Sequence, residues 1–446
     1  MTNYHATHFP NDSNYPMTQQ MTPDRKTAPE FRDIANISLI RPELIQLDNG
    51  CKVYSFNSGD QDLVRIEWIF HNLRFNPAKP LLNVAVNTML TEGTSKLSAA
   101  QIADQVDFYG AFLQVDYGYD NSQVVLYTLT KHLAKTLPVL KELITDSIFP
   151  EKELETFVRN QQQKLQVSLQ KNDVIARRTF NKAIYGDTSY GLGANFEDYK
   201  TLTSQDMLAH FKRMYQPSNC TIIAAGKVEK STLRLINQQF GKEWENYVAI
   251  ADTSQPDLEP AAQHLYIVEK PDALQSAIRL GLPMFNRTHP DFPAFQVLNT
   301  ILGGYFGSRL MANIREDKGY TYGIGSGLSS LENGAAFFIA SEVGADVCRD
   351  AINEIEKEVN LLKTELVPEE ELSLVRNYTL GSLLGSLENI FSHADKFKSI
   401  YFAGLDYDYY ERYTHVVKNI TAEEILHLAQ KYLDTEKFYR VIAGKY

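Results

Sequence analysis

The chain has 446 residues, is 43% hydrophobic and 11% aromatic, and carries a formal charge of −11 at pH 7, which is apolar material for about two large or three ordinary domains. An acidic chain with no long single-sign charge run is not expected to partner nucleic acid. No apolar run approaches the ~18 residues of a membrane span, so no membrane partner is expected either. Cys51, Cys220 and Cys348 are odd in number and form no Cys-x-x-Cys pair; this fits packing residues in a reducing compartment and predicts a cytoplasmic protein.

Residues 1–30 are rich in Thr, Asn, Pro and Gln and lack an apolar core, so they read as a disordered lead-in, with Met17 and Met21 as alternative starts. An Asn49-Gly50 turn leads into an apolar alternation ending at Phe56, and residues 63–70 give a second strand. The spacing predicts an opening antiparallel pair. Residues 81–90 and 99–109 have helical periodicity, and residues 112–117 and 123–128 read as strands about a turn at Tyr119-Asp120-Asn121. Helices follow at about 132–144 and from Pro150 onward, the second opened by Glu151, Glu153 and Glu155, an acidic first turn after a proline. Residues 185–191 read as a loop.

Internal repetition sets the architecture. Leu202-Thr203-Ser204-Gln205-Asp206 opens a helix that ends before Thr221-Ile222-Ile223-Ala224-Ala225-Gly226-Lys227, and Ile420-Thr421-Ala422-Glu423-Glu424 opens one that ends before Tyr439-Arg440-Val441-Ile442-Ala443-Gly444-Lys445. Thr203 and Thr421 stand as matching N-caps, Thr421 with Glu424 as a full capping box. Asn87-Thr88-Met89-Leu90 and Asn299-Thr300-Ile301-Leu302 recur in the same order upstream. Two homologous α+β halves follow, each a mostly antiparallel sheet packed with helices: 31–251 and 264–446, joined by a linker at 252–263 where Asp, Ser, Pro and Glu replace periodic apolar residues.

The most informative run is 302–322, Leu-Gly-Gly-Tyr-Phe-Gly-Ser-Arg-Leu-Met-Ala-Asn-Ile-Arg-Glu-Asp-Lys-Gly-Tyr-Thr-Tyr. Leu310, Met311 and Ile314 predict a short amphipathic helix over about 308–317, stopped by Gly319. Tyr320, Thr321, Tyr322 and Ile324 have strand composition, so Arg315 leaves the last helical turn while Tyr322 stands on the following strand. Two long polar side chains converge there. An Arg in a last helical turn and a Tyr on a strand also have ordinary structural uses. Gly303, Gly304 and Gly307 match neither a phosphate loop nor a dinucleotide fingerprint; Gly323, Gly325 and Gly327 mark a bend or close backbone approach.

The Gly-Ser-Arg-Leu…Arg-Glu-x-Lys-Gly-x-x-Tyr run at 307–322, with Met89-Leu90-x-x-Gly93-Thr94 and Tyr185-Gly186-x-x-x-Tyr190-Gly191, resembles the M16 peptidases, the pitrilysin and mitochondrial-processing-peptidase family of zinc enzymes. The resemblance covers roughly 47–446 and implies two related domains per chain around a chamber formed by paired chains. It also implies that Arg315 and Tyr322 face a zinc site.

Active members carry His-x-x-Glu-His on a helix, since two His and a distant Glu hold the metal while the first Glu activates a water. The alignment puts Val84, Asn87 and Thr88 at those three positions and places the distant Glu near Leu165, where the chain reads Gln161-Gln162-Gln163-Lys164-Leu165. None of these supplies an imidazole or a carboxylate. His5-x-x-His8 is the one close pair among ten histidines and lies in the lead-in, so no metal site is assigned.

The resemblance therefore implies the non-catalytic subunit of a heterodimeric M16 peptidase. A partner chain with intact His-x-x-Glu-His would hold zinc, and this chain would contribute Arg315 and Tyr322 toward peptide substrates. The rival expectation is a structural or peptide-binding protein without catalysis, in which Arg315 and Tyr322 are packing residues.

Overall fold

Gly50 takes a φ of 87° and folds β1 (Glu43–Gln46) back on β2 (Lys52–Asn57) as an antiparallel pair. In this computed structural model the described residues are 37–446 apart from 60, 243, 246–251, 255 and 256, together with Lys26 and Ile34. The expected lead-in at 1–30 thus lies outside the described residues except for Lys26. Ile37–Tyr446 forms one unit.

The first half continues with β3 (Leu63–His71), α1 (Leu82–Thr88), α2 (Ala99–Phe108), β4 (Phe112–Tyr117) and β5 (Asn121–Leu129). Helices α3 (Leu133–Asp146), α4 (Glu151–Ser168), α5 (Asn172–Tyr185), α6 (Phe196–Lys200) and α7 (Ser204–Met214) lead to β6 (Cys220–Gly226) and α8 (Lys230–Ile236). The second half runs β7 (Leu265–Glu269), β8 (Gln275–Pro283), α9 (Phe292–Asn299), π-helical turns at Thr300–Gly304 and Met311–Asp317, β9 (Thr321–Ser330) and β10 (Ala335–Gly344). It closes with α10 (Cys348–Thr364), α11 (Glu369–Gly385), α12 (Ile390–Tyr401), α13 (Asp408–Asn419), α14 (Ala422–Tyr432) and β11 (Tyr439–Gly444).

The sheets have the orders β1-β2-β6-β3-β5-β4 and β7-β11-β8-β10-β9. In each, the closing strand of the half enters the middle, parallel to one strand and antiparallel to the next: β6 between β2 and β3, β11 between β7 and β8. The repeat read from the sequence is therefore a repeat of topology. The expected pairing of β2 with β3 does not form. β6 is buried along its whole length, and its apolar run gains more from two hydrogen-bonded neighbours than it would at an edge. The cap expectations agree with the structure: Thr203 accepts from the Asp206 N–H, and Thr421 and Glu424 make the reciprocal box.

The main core of the first half lies between its sheet and α1, α3 and α7, around Trp68, Phe70, Leu140 and Phe211. The other face of each sheet is covered from the opposite half. Helix α5 lays Ala176, Phe180, Ala183 and Ile184 against Ala277, Val441 and Ala443 of the second sheet. Helix α12 lays Ile390, Ala394 and Phe397 against Phe56, Ile69, Ile223 and Ala225 of the first. Each buried Phe contributes roughly 1.5–3 kcal/mol from surface removed from water, so the halves are tied by reciprocal helices as well as by the linker. Residues 252–254 and 257–263 have neither helix nor strand, and Ala261 is stitched to α5 by its N–H on the Ala183 carbonyl at 2.8 Å.

Candidate functional site

The residues at the metal-motif positions sit on α1. Val84 and Thr88 share one half-buried face, one turn apart, and the Thr88 hydroxyl donates back to the Val84 carbonyl at 2.7 Å. Asn87 is fully buried and donates from Nδ2 to the Tyr215 hydroxyl at 3.0 Å. One turn earlier, Asn83 Oδ1 lies 2.8 Å from Nε2 of the buried His210 and accepts the Leu73 N–H at 3.1 Å. As the acceptor, that amide oxygen requires the Nε2–H tautomer of His210. The helix is thus clamped by side-chain hydrogen bonds to α7 and to Tyr215, the residue that caps it.

On α4, Leu165 is buried in the first-half core, with Gln161 and Gln162 half-buried and Gln163 exposed beside it. Among the described residues no three His, Cys, Asp or Glu side chains approach closely enough to hold a metal ion. The donor set does not fit zinc: an aliphatic chain, a hydroxyl already spent on its own helix and a buried amide replace two imidazoles and a carboxylate. Three of the described histidines have other roles, His210 as above, His393 accepting the Ile40 N–H at Nδ1, and His289 stacking on Phe285 at 4.1 Å.

Residues 306–322 are built differently. The segment Met311–Asp317 is π-helical, with the Lys318 N–H reaching the Asn313 carbonyl at 2.9 Å, where an α-helix was expected. Apolar residues four apart cannot distinguish the two over so short a span, and tertiary tethers decide it. Arg309 forms a fork with Glu371 of α11, at 2.9 and 2.7 Å, and Asn313 donates to Glu354 and Glu358 of α10. Leu310, Met311 and Ile314 are buried on the other side. Gly319 takes φ 67° and stops the turn, as its sequence position predicts. Gly303 permits close approach: a Cβ there would lie 2.7 Å from the Ser326 nitrogen of β9.

Tyr322 stands in a β-bulge. The β9–β10 register passes from Ile324 opposite Ser341 to Thr321 opposite Val343, so Tyr322 and Gly323 together face one residue. A bulge re-aims the side chains around it, and Tyr322 is left 92% exposed. Arg315 lies over its ring at 5.6 Å and over the Phe306 ring at 4.6 Å, so the expected convergence of Arg315 and Tyr322 is present in space. Among the described residues Arg315 has no carboxylate partner. Phe306, 64% exposed, was not singled out by sequence; its signal was a large aromatic between glycines in a turn, a position that packing does not require.

A family model described as the peptidase M16 inactive domain matches residues 201–378, which include both Arg315 and Tyr322. A Bacillus subtilis protein described as an uncharacterized zinc protease, YmxG, is 26% identical over 304 residues, covering 68% of this chain and 73% of its own. The crystal structure of a peptidase M16 inactive domain from Pseudomonas fluorescens aligns over 91% of this chain and 99% of that one, with a TM-score of 0.82 at 21% identity. The chain belongs to the M16 peptidase family. A second relative, described as the non-peptidase homolog YmxG of Helicobacter pylori, is 23% identical over 352 residues, 76% of this chain and 78% of that protein. Within M16 this chain is a member whose catalytic metal-binding motif is not intact, and its two mixed sheet-and-helix halves have the M16 architecture.

Proposed function

We propose that this protein is the non-catalytic subunit of a cytoplasmic heterodimeric M16 zinc peptidase. It closes the chamber against a partner chain that carries His-x-x-Glu-His and zinc, and it acts on peptide substrates only in that pair. One observation carries the reading: an Arg315 guanidinium free of any described carboxylate, set between the exposed rings of Phe306 and Tyr322. A half-buried guanidinium beside an almost fully exposed Tyr322 on a bulged strand is not demanded by packing and supports a role toward something outside this chain.

In the pair, the Tyr322 hydroxyl donates to the oxyanion of the tetrahedral intermediate and Arg315 holds the substrate carbonyl, so charge that develops in the transition state meets donors already in place. The description of one relative as a zinc protease and of another as a non-peptidase homolog supports both this division of labour and the rival, a non-enzymatic peptide-binding or structural M16 protein. The two are separated by reconstitution. The chain alone should hold no stoichiometric zinc and cleave no peptide. Mixed with a His-x-x-Glu-His chain it should form a sized heterodimer that does, and Tyr322→Phe and Arg315→Ala should slow that heterodimer with partner zinc unchanged. Wild-type turnover in both variants would favour the rival.

A further inference from the structure

The second half contains a cavity that peptide chemistry at Arg315 and Tyr322 does not use. It lies among α9, α11, α12, α13 and the turn at Thr300–Gly304 and has a volume of about 600 Å³, within the ~300–1,000 Å³ of small-molecule sites.

Two cations line it, Arg287 and Lys396, and among the described residues neither has an ion-pair partner. Arg287 donates one Nη1 hydrogen to the Ser399 carbonyl at 3.0 Å, which leaves most of its fork uncommitted. The single acid in the lining, Asp395, is engaged elsewhere: its two oxygens take the Arg65 fork at 2.8 and 3.2 Å, and Lys398 lies 3.6 Å away. Burial, and then the neighbouring Arg287, lower the pKa of the Lys396 ammonium, and Asp395, already held by Arg65, offsets this only in part; two like charges thus share a recess with one acid that is committed elsewhere.

A second feature points into the same space. Thr379, on α11, is 8% exposed, lines the cavity, and its hydroxyl has no hydrogen-bond partner among the described residues. Buried hydroxyls are nearly always paired, and an orphan calls for a ligand or a water. Ser382, one turn further along α11, and Ser386, just past its end, add hydroxyls to the wall.

We propose that this cavity binds a small phosphate-bearing molecule, with the phosphate taken by Arg287 and Lys396 and by the Thr379 hydroxyl. Two cations without an ion-pair partner among the described residues match a dianion, and a tetrahedral group with three free oxygens can use a fork, an ammonium and a hydroxyl together, where a carboxylate would leave donors unused.

The test is titration of the full chain with inorganic phosphate at constant ionic strength, read by phosphorus NMR line width and by thermal shift, with succinate as the dicarboxylate comparator. Saturable phosphate binding is expected, weakened about tenfold in Lys396→Gln and several-fold in Thr379→Val, with succinate binding more weakly. Lys437→Gln, at an exposed lysine outside the lining, should bind as the wild type does. Thr379→Val removes an unpaired buried hydroxyl at constant shape, so its ligand-free Tm should hold or rise while its phosphate-induced shift shrinks. Phosphate that fails to saturate, phosphate binding unchanged in folded Lys396→Gln and Thr379→Val, or tighter binding of succinate would each overturn the proposal.

Discussion

Helices α1 and α9 occupy the same place in the two halves and share an Asn-Thr pair at their ends, Asn87-Thr88 closing α1 and Asn299 closing α9 with Thr300 opening the π turn. Both asparagines are buried, Asn87 at 0% and Asn299 at 6% exposure. Asn87 is bonded to Tyr215, and Asn299 accepts the Ser326 hydroxyl of β9 at 2.8 Å. The first of these is the position that the sequence resemblance aligns with the water-activating glutamate, and here it holds a buried amide bonded in the core. The difference lies downstream. After α1 the chain makes a short helical turn at Leu90–Glu92, whereas after α9 it builds the π turns, the bulge, the exposed Phe306 and Tyr322, and the half-buried Arg315 beside them. At the metal-motif positions of the first half the polar side chains are spent on their own helix and the core, while Tyr322 of the second half is held outside it.

The largest effect expected of this contrast is on chemistry. Tyr322→Phe in the assembled heterodimer should reduce turnover by ~10²–10³ with KM little changed, since an oxyanion contact is made mainly in the transition state. The same substitution in the isolated chain should move stability by less than about 0.5 kcal/mol, as for a surface change. A large loss of Tm would mean that Tyr322 belongs to the packing and would erase the contrast.

The reverse is expected of α1. Asn87→Glu, which puts a carboxylate where the resemblance expects one, places an acid against the buried Tyr215 and should destabilise the fold by about 3 kcal/mol at neutral pH through its desolvation. Denaturant midpoints measure this, and a neutral result would mean that α1 still opens to solvent.

His210 sharpens the point through pH. Burial, and then Arg213, push its pKa down to about 4, while an unfolded histidine titrates near ~6.5. Between these values the unfolded chain takes up a proton that the folded chain refuses, so stability should fall as pH drops from about 6.5 to about 4, by up to ~3 kcal/mol, and level off below. His210→Gln should remove that part of the slope.

The smallest effect compares the matching caps. Thr203→Ala and Thr421→Ala should each cost about 1 kcal/mol, with Thr421 the larger because Glu424 returns a bond to its N–H. Equal or negligible losses would mean that the repeated cap has no energetic consequence in one half.

Much of this protein was legible in its sequence because the signals were local. Apolar period, Thr caps, Gly319 and the turn at Asn49-Gly50 each act over a few residues, and their recurrence revealed the two halves. The place of β6 and β11 inside their sheets was not legible, since strand partners distant in sequence are chosen by burial of both faces and leave no local trace. For the same reason the reciprocal crossing of α5 and α12 could not be read: their apolar stripes specify a surface to cover without saying whose.

At the candidate site the sequence by itself determined the chemistry: no imidazole or carboxylate at 84, 87 and 88, and an Arg and a Tyr in the run 302–322. Tertiary structure alone decided their exposure. The fork from Arg309 to Glu371 and the bonds of Asn313 to α10 widen the helix beneath Arg315, and the bulge against β10 turns Tyr322 outward. Those contacts join groups tens of residues apart, and their geometry exists only after the chain has closed on itself.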